Sequence, residues 1–195
     1  MKTGEEAIGV LLDVLNRLEV DYMVVGSFSS NRYGVPRATK DADLVLKIGA
    51  AERERLFATL PGDFRTDPQV TFEMVTGTWR QVIKVSRIPF IIELFELSAD
   101  DFDQSRFSRR RRLTLLGRDA WLPTAEDVIV QKLRWCAIGR RSKDFDDAVA
   151  VMGVQGEAAL DWTYIERWCR LHGTLRILDE AKADAAPAWD DDSTQ

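Results

Sequence analysis

Near the start of this chain, apolar residues recur at helical spacing. Residues 5–20 and 50–60 place apolar side chains three or four positions apart, which predicts two amphipathic helices. Between them, residues 28–34 predict a short helix, with Ser27 as the expected N-cap and Gly34 at its end.

Shorter apolar runs separate and follow these helices. Runs of this length, some of them close to turn residues, are typical of buried strands. The predicted strands are residues 21–27, 41–48, 70–77, 80–86 and 88–97.

The pattern changes near residue 100. Residues 98–112 are strongly charged and predict no element, and residues 113–123 predict two short strands around Gly117. Helical spacing returns over residues 124–139, 142–153 and 160–173. We therefore expect an α/β (α+β) fold, with a mixed sheet flanked by helices in residues 1–118, a helical extension over 119–180 and a disordered acidic tail at 181–195.

Composition narrows the classes of protein. The chain is 45% hydrophobic with a net charge of −5, so a core is available and any polyanion would need a local basic patch. The first residues lack the basic start and apolar block of a signal peptide, and no apolar run approaches the roughly 20 residues of a membrane span. Cys136 and Cys169 make neither a zinc spacing nor a disulfide framework. We expect a cytoplasmic protein.

Asp41 and Asp43 lie at the start of a strand that otherwise predicts burial. Because a buried carboxylate is costly unless it is paired, these two either lie in solvent or bind something positive. Residues i and i+2 of a strand point to the same face, and two such carboxylates can hold Mg²⁺ for phosphoryl transfer. Glu93, within an apolar strand, is the candidate third ligand, and Glu96, of opposite parity, is its substitute.

The turn at Gly26 and Ser27 fits the same chemistry. A strand that ends in glycine before a helix offers backbone N–H groups to an anion, and glycine lets a phosphate approach. Taken alone, a Gly-Ser turn is more often a plain helix cap, and Asp-x-Asp is more often a solvated strand start. Their succession within one short stretch favours a phosphate and metal site.

Residues 24–46, VVGSFSSNRYGVPRATKDADLVL, resemble the signature of minimal nucleotidyltransferases of the DNA polymerase beta-like superfamily. That signature is Gly-Ser, a short helix, then Arg-x-Thr-x-Asp-x-Asp before an apolar strand. Residues 123–152 are similar to the helical continuation in the branch that includes abortive-infection toxins, with Pro-x-x-Glu-Asp, Lys-Leu and Arg-x-Lys-Asp-x-x-Asp. The resemblance covers about residues 5–152.

This resemblance implies transfer of a nucleoside monophosphate from an NTP to an acceptor hydroxyl of RNA or protein. It implies two Mg²⁺ ions, or Mn²⁺, held by Asp41, Asp43 and Glu93, although the branch usually has Asp at the third position. The nucleotide-binding residues that it implies are Gly26, Ser27, Arg37, Thr39, Lys132 and Lys143. It also implies a toxin role, in a toxin–antitoxin pair or in phage defence, with a cognate antitoxin as partner.

Other interpretations stay open. A catalytically degenerate module would bind NTP or a partner without turnover, and an unrelated phosphohydrolase would use Asp41 as its nucleophile. Lys132 is alternatively a surface charge, and Asp144 and Asp147 alternatively belong to a helix N-terminus capped by Ser142. One basic cluster is either a solvated face or an RNA-docking strip. It consists of Arg106 and Arg109–Arg112.

Overall fold

The computed structural model describes residues 1–73, 77–139 and 142–190, which form two compact units. The first unit comprises Met1–Phe28 and Ala38–Pro123, and the second comprises Ser29–Arg37 and the chain from Thr124 onward. Positions 74–76 of the strand predicted at residues 70–77 lie outside the described residues. Within the described ranges, no helix is long and apolar enough to cross a membrane.

A five-stranded mixed sheet organises the first unit, in the order β1-β2-β5-β4-β3. Strands β2 and β5 run parallel, and every other neighbouring pair is antiparallel. The strands are β1 (Asp21–Val25), β2 (Asp41–Lys47), β3 (Phe64–Glu73), β4 (Thr78–Val85) and β5 (Ile91–Glu96). The predicted fold class is therefore confirmed.

The main core lies on one face of this sheet. Helices α1 (Gly4–Arg17) and α3 (Ala50–Thr59) contribute buried apolar side chains to it, and Thr3 caps α1 by accepting from the Glu6 N–H. In β2 the even-numbered side chains from Ala42 to Leu46 enter this core. Because side chains alternate along a strand, Asp41, Asp43 and Val45 belong to the opposite face.

A smaller apolar cluster lies on that opposite face and includes helix α4 (Asp101–Arg109). Phe107 of α4 packs there with Met23 and Val45. The sequence predicted no element here, which is wrong. Asp100 caps the helix by accepting from the backbone N–H groups of Phe102 and Asp103.

The hairpin β6 (Arg111–Leu115) and β7 (Arg118–Leu122) also belongs to the first unit. That unit therefore extends to Pro123, beyond the boundary predicted at residue 118.

The second unit begins with most of helix α2 (Gly26–Tyr33) and continues with a set of helices. These are α5 (Ala125–Gly139), α6 (Ser142–Gln155), α7 (Trp162–His172) and α8 (Leu175–Asp190). Helix α8 contradicts the predicted disordered tail over residues 181–190, because Leu178, Ala181 and Ala185 form a buried stripe at helical spacing. Residues 191–195 of that predicted tail lie outside the described residues.

Candidate active site

Asp43 and Glu93 lie side by side on neighbouring strands. The parallel register of β2 and β5 pairs Asp43 with Glu93 and Asp41 with Ile91. Side chains in register project to the same face, and Asp41 is two residues before Asp43, so all three carboxylates share the face opposite the main core. Glu96 pairs with the core residue Leu46 and so belongs to the other face.

Gly26 lies directly against Asp43. Its φ is +63°, and a Cβ placed on it would stand 2.0 Å from Asp43 Oδ2. Any side chain here would therefore collide with the Asp43 carboxylate, as well as occupy a backbone region that L-residues avoid. Helix α2 begins at Gly26 itself, so Ser27 is a buried residue of its first turn and not the predicted N-cap.

Asp41 is held by its own approach segment. The Thr39 hydroxyl donates to Asp41 Oδ1 at 2.6 Å, and the Ile91 N–H donates to the Lys40 carbonyl at 3.2 Å. These bonds tie the residues before β2 to the start of β5. Thr39 is thus in a position to orient the Asp41 carboxylate.

Glu93 is paired with an arginine that the sequence reasoning missed. Arg80 Nη1 lies 3.1 Å from Glu93 Oε1, and Arg80 Nε donates to the Thr71 hydroxyl at 3.3 Å. Sequence alone offered little signal for this contact, because it depends on the register of β3, β4 and β5. The third carboxylate is thus already neutralised by a protein cation.

The carboxylates on this face meet part of what a divalent ion requires. Asp41 and Asp43 supply the hard oxygen ligands that Mg²⁺ prefers, on one face and beside a glycine. Across the described ranges, however, no group of three or more His, Cys, Asp or Glu side chains stands ready to hold a metal ion. The fit to a divalent ion is thus limited to the two aspartates, because Arg80 engages Glu93.

A second charged cluster lies within the second unit. Lys132 of α5 binds two carboxylates of α6, at 2.8 Å to Asp144 Oδ1 and 2.7 Å to Asp147 Oδ2. Arg37 grips Asp147 with two parallel bonds, Nε to Oδ1 at 2.8 Å and Nη2 to Oδ2 at 2.9 Å. The Ser30 hydroxyl also donates to Asp147 Oδ2, at 3.3 Å.

The electrostatics of this cluster favour charged Asp147. Burial alone would raise the pKa of the Asp147 carboxyl, but hydrogen bonds from Arg37 and Lys132, together with their charges, hold that pKa below its ordinary value. Lys132 is only 7% exposed, so its interpretation as a surface charge is wrong. Asp144 and Asp147 are likewise buried and face Lys132.

Arg37 anchors the loop that follows α2. Its backbone N–H donates to the Asn31 side chain at 3.1 Å, and its carbonyl accepts from the same side chain at 2.7 Å. With the Asp147 pair, these contacts hold the backbone and the side chain of Arg37 in place. Lys143, by contrast, is an exposed side chain of α6 and does not join the Lys132 cluster.

The basic cluster is divided among separate structural contacts. Arg106 is buried and paired with Asp103 at 2.8 Å. Arg110 lies between the rings of Phe107 and Trp121, 4.1 and 5.0 Å from their centroids, and binds Asp21 at 2.6 Å. Arg112 pairs with Asp119 at 2.9 Å, so at least three members of the cluster have internal partners. This partition argues against a continuous RNA-docking strip.

Known proteins match this chain in structure. No protein-family profile and no curated protein matches the sequence. Solved structures do match: an antigenic nucleotidyltransferase-like protein from Paracoccidioides brasiliensis has a TM-score of 0.58 at 17% identity, covering 96% of this chain and 92% of that one. This chain has a nucleotidyltransferase-like fold.

Two further structures with this fold contain an antibiotic or an adenylylated antibiotic. ANT(2″)-Ia, in complex with adenylyl-2″-tobramycin, has a TM-score of 0.59 at 12% identity, covering 88% of this chain and 98% of that one. The lincosamide antibiotic adenylyltransferase LnuA, with lincomycin bound, has a TM-score of 0.53 at 14% identity, covering 78% and 98%. At such identities the likeness concerns the fold, and the abortive-infection branch stays a prediction.

Proposed function

We propose that this nucleotidyltransferase-like protein transfers a nucleoside monophosphate from an NTP to an acceptor hydroxyl, releasing pyrophosphate and a proton. The observation that carries the proposal is the position of Asp43, in register with Glu93 and directly against a glycine at the start of a helix. A carboxylate pair beside the first turn of a helix suits a metal-bound triphosphate better than it suits packing.

Asp41 and Asp43 are the proposed holders of divalent cations, with two Mg²⁺ ions the expected complement, Mn²⁺ as substitute, and Glu93 as the third ligand. Bound there, the cations would neutralise the triphosphate and lower the pKa of the acceptor hydroxyl. Gly26 and Ser27 bind the phosphates, the first by its backbone and the second by its hydroxyl and position in the first turn of α2. Thr39 holds the Asp41 carboxylate in orientation.

The remaining predicted residues are assigned structural roles or weaker contacts. Arg37 anchors the loop that leads towards Asp41, and Lys132 with Asp144 and Asp147 forms the charged cluster to which Arg37 is bound. Lys143, which is exposed, is assigned a weaker contact to nucleotide or acceptor.

The proposed acceptor is RNA or protein, in the setting of a toxin with a cognate antitoxin. What supports it is the sequence resemblance of residues 123–152 to the abortive-infection branch. A small-molecule acceptor is the competing class, because two proteins of this fold are solved with an adenylylated or bound antibiotic. Incubation with a radiolabelled NTP and total RNA, total protein or an aminoglycoside distinguishes the three classes.

Calorimetric titration of each NTP, with and without Mg²⁺, tests the site itself. Wild-type protein should bind at least one NTP in a Mg²⁺-dependent manner, and Asp41→Asn/Asp43→Asn should lose that binding while keeping its circular dichroism spectrum. Glu93→Gln should weaken it, whereas Glu96→Gln, on the same strand but the opposite face, is the matched control. Retained Mg²⁺-dependent binding in the folded double variant would refute the site.

A module that binds NTP without turnover is the second candidate. The ion pair between Arg80 and Glu93 favours it, because this pair engages the third carboxylate. Such a module would bind NTP in the titration but transfer no label to any acceptor class.

A further inference from the structure

Four strands contribute one row of polar side chains to the face opposite the main core. Register pairs Thr71 of β3 with Arg80 of β4, and Glu93 of β5 with Asp43 of β2. Glu93 pairs with Val82, which is two residues from Arg80, so Arg80 and Glu93 are diagonal neighbours on that face. The row therefore runs Thr71, Arg80, Glu93, Asp43 across the sheet.

Arg80 is held in this row from both sides. Thr71 accepts from its Nε at 3.3 Å and Glu93 accepts from its Nη1 at 3.1 Å. The two side chains of the ion pair are 31% and 25% exposed, so water screens them only in part. Arg80 is thus a fixed positive charge beside the carboxylate that the proposed function assigns to a metal ion.

A guanidinium and a divalent cation on one carboxylate repel each other. Coulomb repulsion between such charges is substantial when water screens them only in part. A cation that uses Glu93 must therefore either displace Arg80 or bind more weakly. The negative charge of a triphosphate offsets this repulsion, because it attracts both the cation and the arginine.

We propose that Arg80 is a positioning residue that competes with the divalent cation for Glu93 and so couples cation binding to nucleotide binding. In the nucleotide-free protein, Arg80 neutralises Glu93 and keeps cation affinity low. When the triphosphate is present, its charge releases this competition and Glu93 joins Asp41 and Asp43. The inference rests on the proposed function for the identity of the cation site, but its test reads cation affinity and not turnover.

Mn²⁺ binding, followed by electron paramagnetic resonance of the free ion without nucleotide, measures this competition directly. Arg80→Gln should bind Mn²⁺ about three- to tenfold more tightly than wild type, whereas Arg80→Lys, which keeps the charge, should stay near wild type. Lys84→Gln is the matched control, because it removes one charge from the same face of β4 about 13 Å along the strand. Adding a non-hydrolysable NTP should tighten binding more in wild type than in Arg80→Gln.

A double-mutant cycle assigns the effect to Glu93. In a Glu93→Gln background, Arg80→Gln should no longer tighten Mn²⁺ binding. Unchanged or weaker affinity in folded Arg80→Gln, with wild-type binding that still depends on Asp43, would overturn the role of Arg80 and leave the proposed function standing. Absence of Mn²⁺ binding in both wild type and Arg80→Gln, with or without NTP, would overturn both.

Discussion

The carboxylate of Asp43 lies where a side chain of Gly26 would be. A Cβ on Gly26 would approach Asp43 Oδ2 to 2.0 Å, and the glycine φ of +63° is itself unfavourable for other residues. Gly26, the first residue of α2, and Asp43, the second acid of β2, therefore constrain each other. Gly26 thus leaves space for the Asp43 carboxylate and also allows the backbone turn.

Gly26→Ala should damage both stability and nucleotide binding. The positive φ alone costs roughly 1–2 kcal/mol for an alanine, and the collision must also displace the Asp43 carboxylate. We expect a further loss of stability and a loss of NTP affinity of about tenfold or more. Urea denaturation and calorimetric titration measure the two effects.

Gly77→Ala isolates the backbone contribution. Gly77 has the same φ of +63°, but a Cβ there would meet nothing within 4 Å. Its free energy of unfolding should fall only by the cost of the positive φ, and its NTP affinity should equal that of wild type. If the two alanine variants lose the same stability and both bind NTP, the contact with Asp43 has no importance for the site.

Lys132→Met should destabilise the second unit strongly. The substitution leaves Asp144 and Asp147 buried without the cation that bridges them, and breaking a buried pair from one side costs about 3–5 kcal/mol. Lys143→Met, at an exposed position one residue from Asp144, should change stability by less than about 0.5 kcal/mol. Equal stability of the two variants in urea denaturation would contradict the structural importance of Lys132.

How far the sequence predicted this structure depends on the kind of signal. Long periodic segments such as α1 and α5 were predictable, and the strand period correctly placed Asp41 and Asp43 on one face and Glu96 on the other. Helix α4 was missed because charged residues dominate it, including an Arg106 that is buried only because Asp103 pairs with it. Helix α8 was missed because its buried stripe relies on small alanines.

The unpredicted parts of the site depend on long-range pairing. Arg80 reads as an ordinary polar residue of an alternating strand, and only the register of β4 against β5 brings it to Glu93. In the sequence, Lys132 and Asp147 look like ordinary charged residues of two helices. Only the packing of α5 against α6 buries them together. The metal and nucleotide roles of the site residues stay predictions.

The stability of the second unit should depend on pH through Asp147. Since the folded-state pKa of its carboxyl is lowered, the stabilisation is fully present above the unfolded value near 3.8 and is lost as the pH falls below it. Asp147→Asn should cost about 2–3 kcal/mol at neutral pH, because Arg37 and Lys132 lose a charged acceptor. The difference from wild type should be constant at higher pH and shrink below that value.

Urea denaturation between about pH 3 and pH 7 measures this dependence. Asp184→Asn, at an exposed position of α8, is the control and should follow wild type throughout. A gap between wild type and Asp147→Asn that stays constant down to the lowest pH would contradict a lowered pKa.

Thr39→Val should weaken Mg²⁺-dependent NTP binding without unfolding the protein. Valine keeps the shape of threonine but removes the hydroxyl that donates to Asp41 Oδ1 at 2.6 Å, so the carboxylate loses its orientation. Groups that orient metal ligands typically change affinity by about 10–100-fold, and we expect the lower end because Thr39 is half-buried. Thr39→Ser retains the hydroxyl and should keep wild-type affinity. A Thr39→Ser variant as weak as Thr39→Val would assign the effect to the threonine methyl group, and Asp41 would then owe its orientation to packing.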